Sequence, residues 1–561
     1  MSASQIQSAR DLTRSALAMA LAEAQADGAL PHFAAGEEAP AIEVSRPDKP
    51  EHGDLATNLA LQLAGRLKRS PRQIGEALAE RLPRTAVDDA ISRAEVAGPG
   101  FVNVWLAPAY VESALDEIRA AGTGYGRVPA ETTLRVNVEF VSANPTGPLT
   151  IGNARGAFVG DLLCRVLEAV GHEVAREYYF NDFGTQVEKL GKSVQAVRTN
   201  EPVPDDGYRG AYVSDLAATI PDNVWQHAQA EPDRAGWLLG EWASERVREG
   251  IEASLEHLGV HFDVWKSEGS LHEEGWVDRA VDRLRQSGHA YEQAGALWFR
   301  STDYGDDKDR VVIRSNGQPT YLASDVGYLV EKFSRDFEQL IYIWGADHHC
   351  TVARLRGAAG ALGFEREKVQ VLLVAWVRFV REGRDISMSK RAGEFITLDE
   401  LLAEVGVDAA RWFFASRSPS TGIDFDIDLA RRQSNENPVY YVQYAHARIS
   451  SILRKAASEG LAPVDSLAWT LVGDDVSLGL AKELLRLPDV VRDAADVRET
   501  QGITAYATHL ATTFHAFYRD RRVVDADEPA TSAGRLALVD ATRSALAASL
   551  SLLGISAPES M

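Results

Sequence analysis

The stretch Leu134-Arg135-Val136-Asn137-Val138-Glu139-Phe140 decides the fold, together with Ser142-Ala143-Asn144-Pro145-Thr146-Gly147-Pro148-Leu149-Thr150-Ile151-Gly152-Asn153-Ala154-Arg155-Gly156 just after it. Its first part alternates apolar and polar residues with period two, which predicts a strand. Its second part is a loop rich in Asn, Pro and Gly. Phe158, Leu162, Val166 and Val170 then recur every four residues. Leu163 and Leu167 widen that stripe and Gly171 supplies the stop, so a helix is predicted. Val174 to Tyr179 reads as a second strand. Strand, Gly-rich loop, helix, strand is a βαβ unit, and such units build a doubly wound parallel sheet of α/β class. Ligands of these sheets sit outside the carboxyl ends of the strands. The turn from Asn144 to Gly156 is therefore the first candidate site, because the helix start offers phosphate its unpaired N–H groups and positive dipole end.

Sheet-like runs return at Gln339 to Trp344 and Val369 to Val380. The stretch from about Lys192 to Ala296 is more helical and charged, and reads as an insertion splitting one sheet domain. The first hundred residues predict a small mixed domain. It has a helix from about Gln5 to Gln25 (apolar at Leu12, Leu17, Ala20 and Leu21) and a second from about Leu55 to Leu67. A Gly98-Pro99-Gly100 turn then leads into a strand at Phe101 to Trp105. After about Ser416 the chain is rich in Ala and Leu and predicts helices to the end. The expected boundaries are 1–121 for an N-terminal α+β domain, 122–200 and 301–415 for the two sheet halves, 201–300 for the insertion, and 416–561 for an all-helical bundle.

The chain has 561 residues, with 59 Lys and Arg against 81 Asp and Glu, a net charge of −22. Net charge is a sum and a binding face is local, so this balance does not exclude a nucleic-acid partner. Basic clusters stand at Arg354 and Arg356, Lys390-Arg391, Arg431-Arg432, and Arg519 to Arg522. Two cysteines, Cys164 and Cys350, exclude a disulfide framework and a cysteine-rich zinc site. No apolar run approaches the roughly 20 residues that span a bilayer, and the N-terminus lacks the uninterrupted apolar stretch of a secretion signal. A cytoplasmic enzyme with no structural metal is expected.

The turn from Asn144 to Gly156 resembles the HIGH motif of class I aminoacyl-tRNA synthetases. The run from Glu139 through Pro148, with Gly152-Asn153-Ala154-Arg155-Gly156, is similar more narrowly to the arginyl-tRNA synthetase family. In that motif two histidines steady the ATP phosphates; here Thr150 and Asn153 stand in their places, and both can donate hydrogen bonds. Ile386-Ser387-Met388-Ser389-Lys390-Arg391-Ala392-Gly393 resembles the KMSKS loop, with Ser387 at the first lysine position and Lys390 at the second. The resemblance implies catalytic roles for Thr150, Gly152, Asn153 and Lys390. It also implies ATP contacts at Gly152, Asn153, Gly345, Asp347, His348, Met388, Ser389 and Lys390.

Tyr321-Leu322-Ala323-Ser324-Asp325-Val326-Gly327 is similar to the substrate segment of the arginyl family. Tyr321 and Asp325 are four apart and share a helical face, and a carboxylate is the bidentate partner of a guanidinium. By the same resemblance Glu268 joins the arginine pocket, and Glu139 and Asn144 hold the backbone of the amino acid. At Gly345-Ala346-Asp347-His348-His349 metal binding is possible, but adjacent histidines point in different directions; the resemblance implies instead a loop over the nucleotide and the amino acid. The segment from Asn437 to Arg448 is similar to the start of the family's anticodon-binding bundle, which implies RNA contacts at Tyr441, Tyr444 and Arg448. Gly98 to Asn103 is similar to the domain that touches the tRNA elbow, with contacts at Phe101 and Asn103.

The resemblance covers nearly the whole chain and implies a monomeric arginine–tRNA ligase. Its fold would be a Rossmann-like class I catalytic domain, split by an insertion, between a small N-terminal α+β domain and a C-terminal anticodon bundle. Its partners would be L-arginine, tRNA(Arg) and ATP carrying Mg2+. No editing domain is expected, because a guanidinium pocket rejects rivals by leaving its acids unpaired. Two other readings stand beside it. A non-catalytic tRNA-binding paralogue is suggested by the altered HIGH and KMSKS positions. A different class I enzyme would lack both the elbow domain and the acid set.

Overall fold

The computed structural model describes residues 8–47, 49–130, 132–386, 397–468, 470 and 472–561. The chain forms two compact units. One holds Ala130–Asn437 with Arg498–Gln501, and the other holds Met1–Pro129, Pro438–Val497 and Gly502–Met561.

The first unit is built on a five-stranded sheet. Its strands are β1 (Arg135–Glu139), β2 (Glu173–Phe180), β3 (Val264–Ser267), β4 (Gln339–Gly345) and β5 (Val369–Val374). They lie in the order β5-β4-β1-β2-β3, and every pair is parallel. Helix α1 (Ile151–Ala169) links β1 to β2, α2 (Glu268–Glu273) follows β3, and α3 (Tyr321–Ser334) precedes β4. The winding reverses between β1 and β4, and that switch point opens a crevice at the carboxyl ends of the strands. Helix α1 lies close on β1: a Cβ at Gly160 would strike the ring of Phe140. Gly171, at φ +85°, ends the helix as its spacing predicts.

Three sequence expectations change here. Strand β3 lies inside the region 201–300 expected to be pure insertion, yet it is the fifth strand of the main sheet. The run Val369 to Val380 is two strands: β5, and a separate strand Val377–Arg381 that pairs with Ile423–Asp426 in another small sheet. That pairing draws residues 416–437 into the sheet unit, so the helical domain begins at Pro438 rather than 416. Strand β1 is buried along most of its length. Val136, Asn137, Val138 and Glu139 are all buried, because a central strand of a doubly wound sheet is covered on both sides. Its polar residues face an ionic network instead of water.

In the second unit, helix Ala9–Ala26 is capped by Ser8, whose hydroxyl accepts from the Asp11 N–H at 3.1 Å. Leu12, Leu17, Ala20 and Leu21 are buried as their spacing predicts. The helix expected from Leu55 starts at Leu59, because Leu55–Thr57 is taken as a strand beside Val102–Val104. Strand pairing overrides helix propensity there. The carboxyl half is helical, with α4 (Pro438–Ser458), α5 (Gln501–Asp520) and α6 (Pro529–Leu552) as its long members. No helix among the described residues is long and apolar enough to cross a membrane.

Candidate active site

A cavity of about 1270 Å³ opens at the switch point. The β1–α1 turn lines it from Val141 to Gly156, with Asn144, Thr150, Gly152 and Asn153 among the lining residues. The loops after β4 and β5 add Gly345, Asp347, His348 and Trp376. The nucleotide residues expected from sequence, apart from those of the KMSKS-like loop, therefore share one cavity. Met388, Ser389 and Lys390 lie outside the described residues. The chain just beyond them is tethered to this site: Thr397 bridges Thr150, and the Leu398 N–H donates to the Leu149 carbonyl at 3.1 Å.

Thr150 caps α1 and is engaged with Asn153. The Asn153 side-chain oxygen accepts from the Thr150 N–H at 3.1 Å and from the Thr150 hydroxyl at 3.0 Å. The Thr150 proton is thus spent on holding Asn153, and the Asn153 amide is aimed by a contact to its oxygen. Arg155 fastens the start of α1 to the cavity wall. Its guanidinium donates to the carbonyls of Ala375 (2.9 Å), Trp376 (3.3 Å), Ser418 (2.9 Å) and Thr421 (2.7 Å). Burial lowers its pKa to about 10.

The turn after β1 is strained. Val141 and Ser142 both have positive φ, at 65° and 39°, a region costly for a β-branched residue. The bend returns the Ser142 hydroxyl to Glu139 Oε1 at 3.2 Å, while the Tyr179 N–H donates to Ser142 Oγ at 3.2 Å. Asn144, exposed on the cavity, donates to Gln186 Oε1 at 3.0 Å.

The acids expected to hold arginine form a second neighbourhood. Glu139 ends β1, Glu268 starts α2 at the end of β3, and Asp325 lies in the first turns of α3. Glu139 and Glu268 are buried. Glu268 accepts from Ser324 and Tyr179, and burial raises its pKa. Asp325 is pushed up to about 7, first by burial and then by the charges of Glu268 and Glu139. Tyr321 stands apart: it is 65 % exposed, so a shared helical face did not give it a shared environment with Asp325.

Sequence reading missed several groups. Tyr179 on β2 lies among the three acids; burial first, and then their charges, hold its hydroxyl proton on. Lys332 pairs with Glu139 at 2.6 Å. Tyr212 donates to the Thr146 carbonyl at 2.9 Å and packs on Gly147. Tyr212 carried no sequence signal, being far along the chain in an unremarked helix. Lys332 did carry one, since it lies seven residues, two helical turns, beyond Asp325.

In the other unit, α4 and α5 share an aromatic surface. Tyr441 lies 5.0 Å from the ring of His515, Tyr444 lies 6.3 Å from it, and Arg448 donates to the Tyr444 hydroxyl at 2.7 Å. Arg448 also stacks over Tyr444 and Tyr518, at 4.6 and 5.5 Å. His515 and Tyr518 were not foreseen. Phe101 is 43 % exposed, whereas Asn103, expected to contact RNA, is largely buried at 6 %.

Known proteins fix the class and then the family. Residues 117–204 and 241–418 match the model described as tRNA synthetases class I (R), catalytic domain. Residues 11–106 match the arginyl tRNA synthetase N terminal domain, and 442–561 the DALR anticodon binding domain. The arginine–tRNA ligase of Moorella thermoacetica is 45 % identical over 556 residues, covering 96 % of this chain and 98 % of that protein. That of Bacillus subtilis is 41 % identical over 529 residues, covering 93 % and 95 %. Among solved structures, Thermus thermophilus arginyl-tRNA synthetase superposes with a TM-score of 0.76 at 25 % identity, covering 99 % of this chain and all of that one. The chain belongs to the arginyl-tRNA synthetase family.

Proposed function

We propose that this chain is an arginine–tRNA ligase in which Asp325 and Glu268 grip the substrate guanidinium and the switch-point cavity takes ATP. The observation that carries the reading is the grouping of Glu139, Glu268 and Asp325, in which burial first and then the charges of Glu268 and Glu139 push Asp325 up to about 7. A guanidinium relieves that burden, and it stays charged at every relevant pH. The arginine carboxylate attacks the ATP α-phosphate, giving arginyl-adenylate and pyrophosphate. A ribose hydroxyl at the 3′ end of tRNA(Arg) then attacks the arginyl carbonyl and releases AMP. The protein's part is positioning and charge stabilisation. The Asn153 amide and the α1 N–H groups face the phosphates, Lys390 supplies formal charge from the KMSKS-like loop, and Mg2+ enters with ATP as part of the substrate. Glu139 and Asn144 hold the amino-acid backbone. Gly345, Asp347 and His348 border the nucleotide. On this reading the chain works as a monomer in the cytoplasm. The test is arginine-dependent exchange of pyrophosphate into ATP, run with each amino acid and with and without tRNA. Exchange with an amino acid other than arginine overturns the reading.

Arginine affinity should depend on pH. In the free site Asp325 takes up a proton near pH 7, and pairing with the guanidinium lowers its pKa, so binding expels that proton below about 7. Affinity should be flat above pH 7.5 and fall by up to about tenfold per pH unit below 7. Calorimetry from pH 5.5 to 8 measures it, and a pH-independent affinity would show that Asp325 does not meet the guanidinium.

tRNA binding should weaken steeply with salt despite the charge of −22, because cations that meet phosphates release counterions. Arg431, Arg432, Arg519 and Arg522 each pair with a nearby acid on the surface. Such pairs are worth little and exchange readily for phosphate. A log affinity that stays flat against log salt would remove the basic clusters from the RNA face.

A further inference from the structure

The ammonium of Lys332 is completely buried, with 0 % of its side chain exposed, and lies 2.6 Å from Glu139 Oε2. It sits over the rings of Tyr328 and Tyr342, at 4.3 and 4.1 Å. Glu177 is a second acid in electrostatic contact with it. Glu177 is already served by Asn137 at 2.6 Å, by Arg335 at 2.8 Å and by the Tyr328 hydroxyl. Lys332 is therefore left for Glu139. A buried ion pair seldom stabilises a fold more than an apolar pair of the same size, so stability alone does not account for one at the end of the central strand. What the pair does achieve is geometric. Glu139 Oε2 is pinned by Lys332 and Oε1 by Ser142 at 3.2 Å, just before the strained Val141–Ser142 bend that leads into the cavity lining. A carboxylate accepts about four hydrogen bonds, so a fixed Glu139 keeps capacity for a substrate amine.

We propose that Lys332 is a positioning residue for amino-acid recognition: it acts through Glu139, holding that carboxylate oriented toward the arginine α-amine. This rests on the arginine reading above. The test uses the full chain and pyrophosphate exchange with tRNA present. Lys332→Met should raise the arginine KM by on the order of 10-fold or more with the ATP KM unchanged, and Lys332→Arg should restore most of it. A purely structural lysine would instead lower kcat through a smaller folded fraction, leaving the arginine KM alone. That outcome overturns the proposal. Should Lys332→Met fail to fold, Glu139→Gln/Lys332→Met leaves neither charge unpaired and carries the test. If Lys332 works through Glu139, the double variant has the arginine KM of Glu139→Gln alone; a further multiplicative rise overturns the proposal. Failure of the unmodified chain to exchange pyrophosphate with arginine would instead sink the underlying reading, so the two failures are distinct.

Discussion

Asp325→Asn should raise the arginine KM by on the order of 10²–10³ while leaving the ATP KM near its starting value. Removing one partner of a buried, hydrogen-bonded ion pair costs about 3–5 kcal/mol, and each 1.4 kcal/mol is tenfold. The substitution keeps shape and removes charge, so the guanidinium would meet an amide that offers it one acceptor oxygen in place of two. The same change should not harm the fold. Asp325 is ionised at pH 8 only against burial and two like charges. A carboxyl whose folded pKa is raised destabilises the folded chain in full above that pKa, and the cost falls away as the pH drops from it to the lower unfolded value. The variant should therefore melt at or above the parent temperature at pH 8. Lost arginine use with retained or higher stability separates a binding residue from a structural one. An arginine KM within a few-fold of the parent would remove Asp325 from the pocket.

The same charge pattern explains what could be read from the sequence. The βαβ unit was legible because Leu134 to Gly171 carries each local signal in order: a period of two, a Gly-rich turn, a period near four, and a Gly stop. The site position followed, since the winding reversal puts ligands at the carboxyl ends. Strand β3 was not legible. Val264-Trp265-Lys266-Ser267 is four residues of no clear period, and it becomes a strand only by pairing with Glu177 to Phe180. The period of two gave the β1 strand but not the partners of its polar residues, because alternation cannot distinguish water from a buried network; Asn137 and Glu139 meet Glu177 and Lys332. Tyr321 shows the opposite limit, where helical spacing placed it beside Asp325 but tertiary packing left it exposed.

Asn153→Ala should slow adenylate formation by about 10²–10³, the usual effect of losing one well-placed donor at a site of developing charge, while arginine affinity survives. The family's imidazoles are absent here, and transition-state charge on the phosphates needs placed donors rather than a particular ring. Asn153 can supply one because its oxygen is occupied: the N–H and hydroxyl of Thr150 both bind it, which turns the NH₂ group outward. Thr150→Val removes one of those two holds and no direct phosphate donor. It should cost less, about tenfold, and in a double variant it should add nothing to Asn153→Ala. Exchange of pyrophosphate into ATP at saturating arginine, with tRNA present, measures both rates. Equal losses from the two single substitutions, multiplying in the double, would mean that Thr150 donates to phosphate itself and that the pair acts as two independent groups. An Asn153→Ala rate within a few-fold of the parent would leave the N–H groups of α1 and Lys390 as the phosphate site.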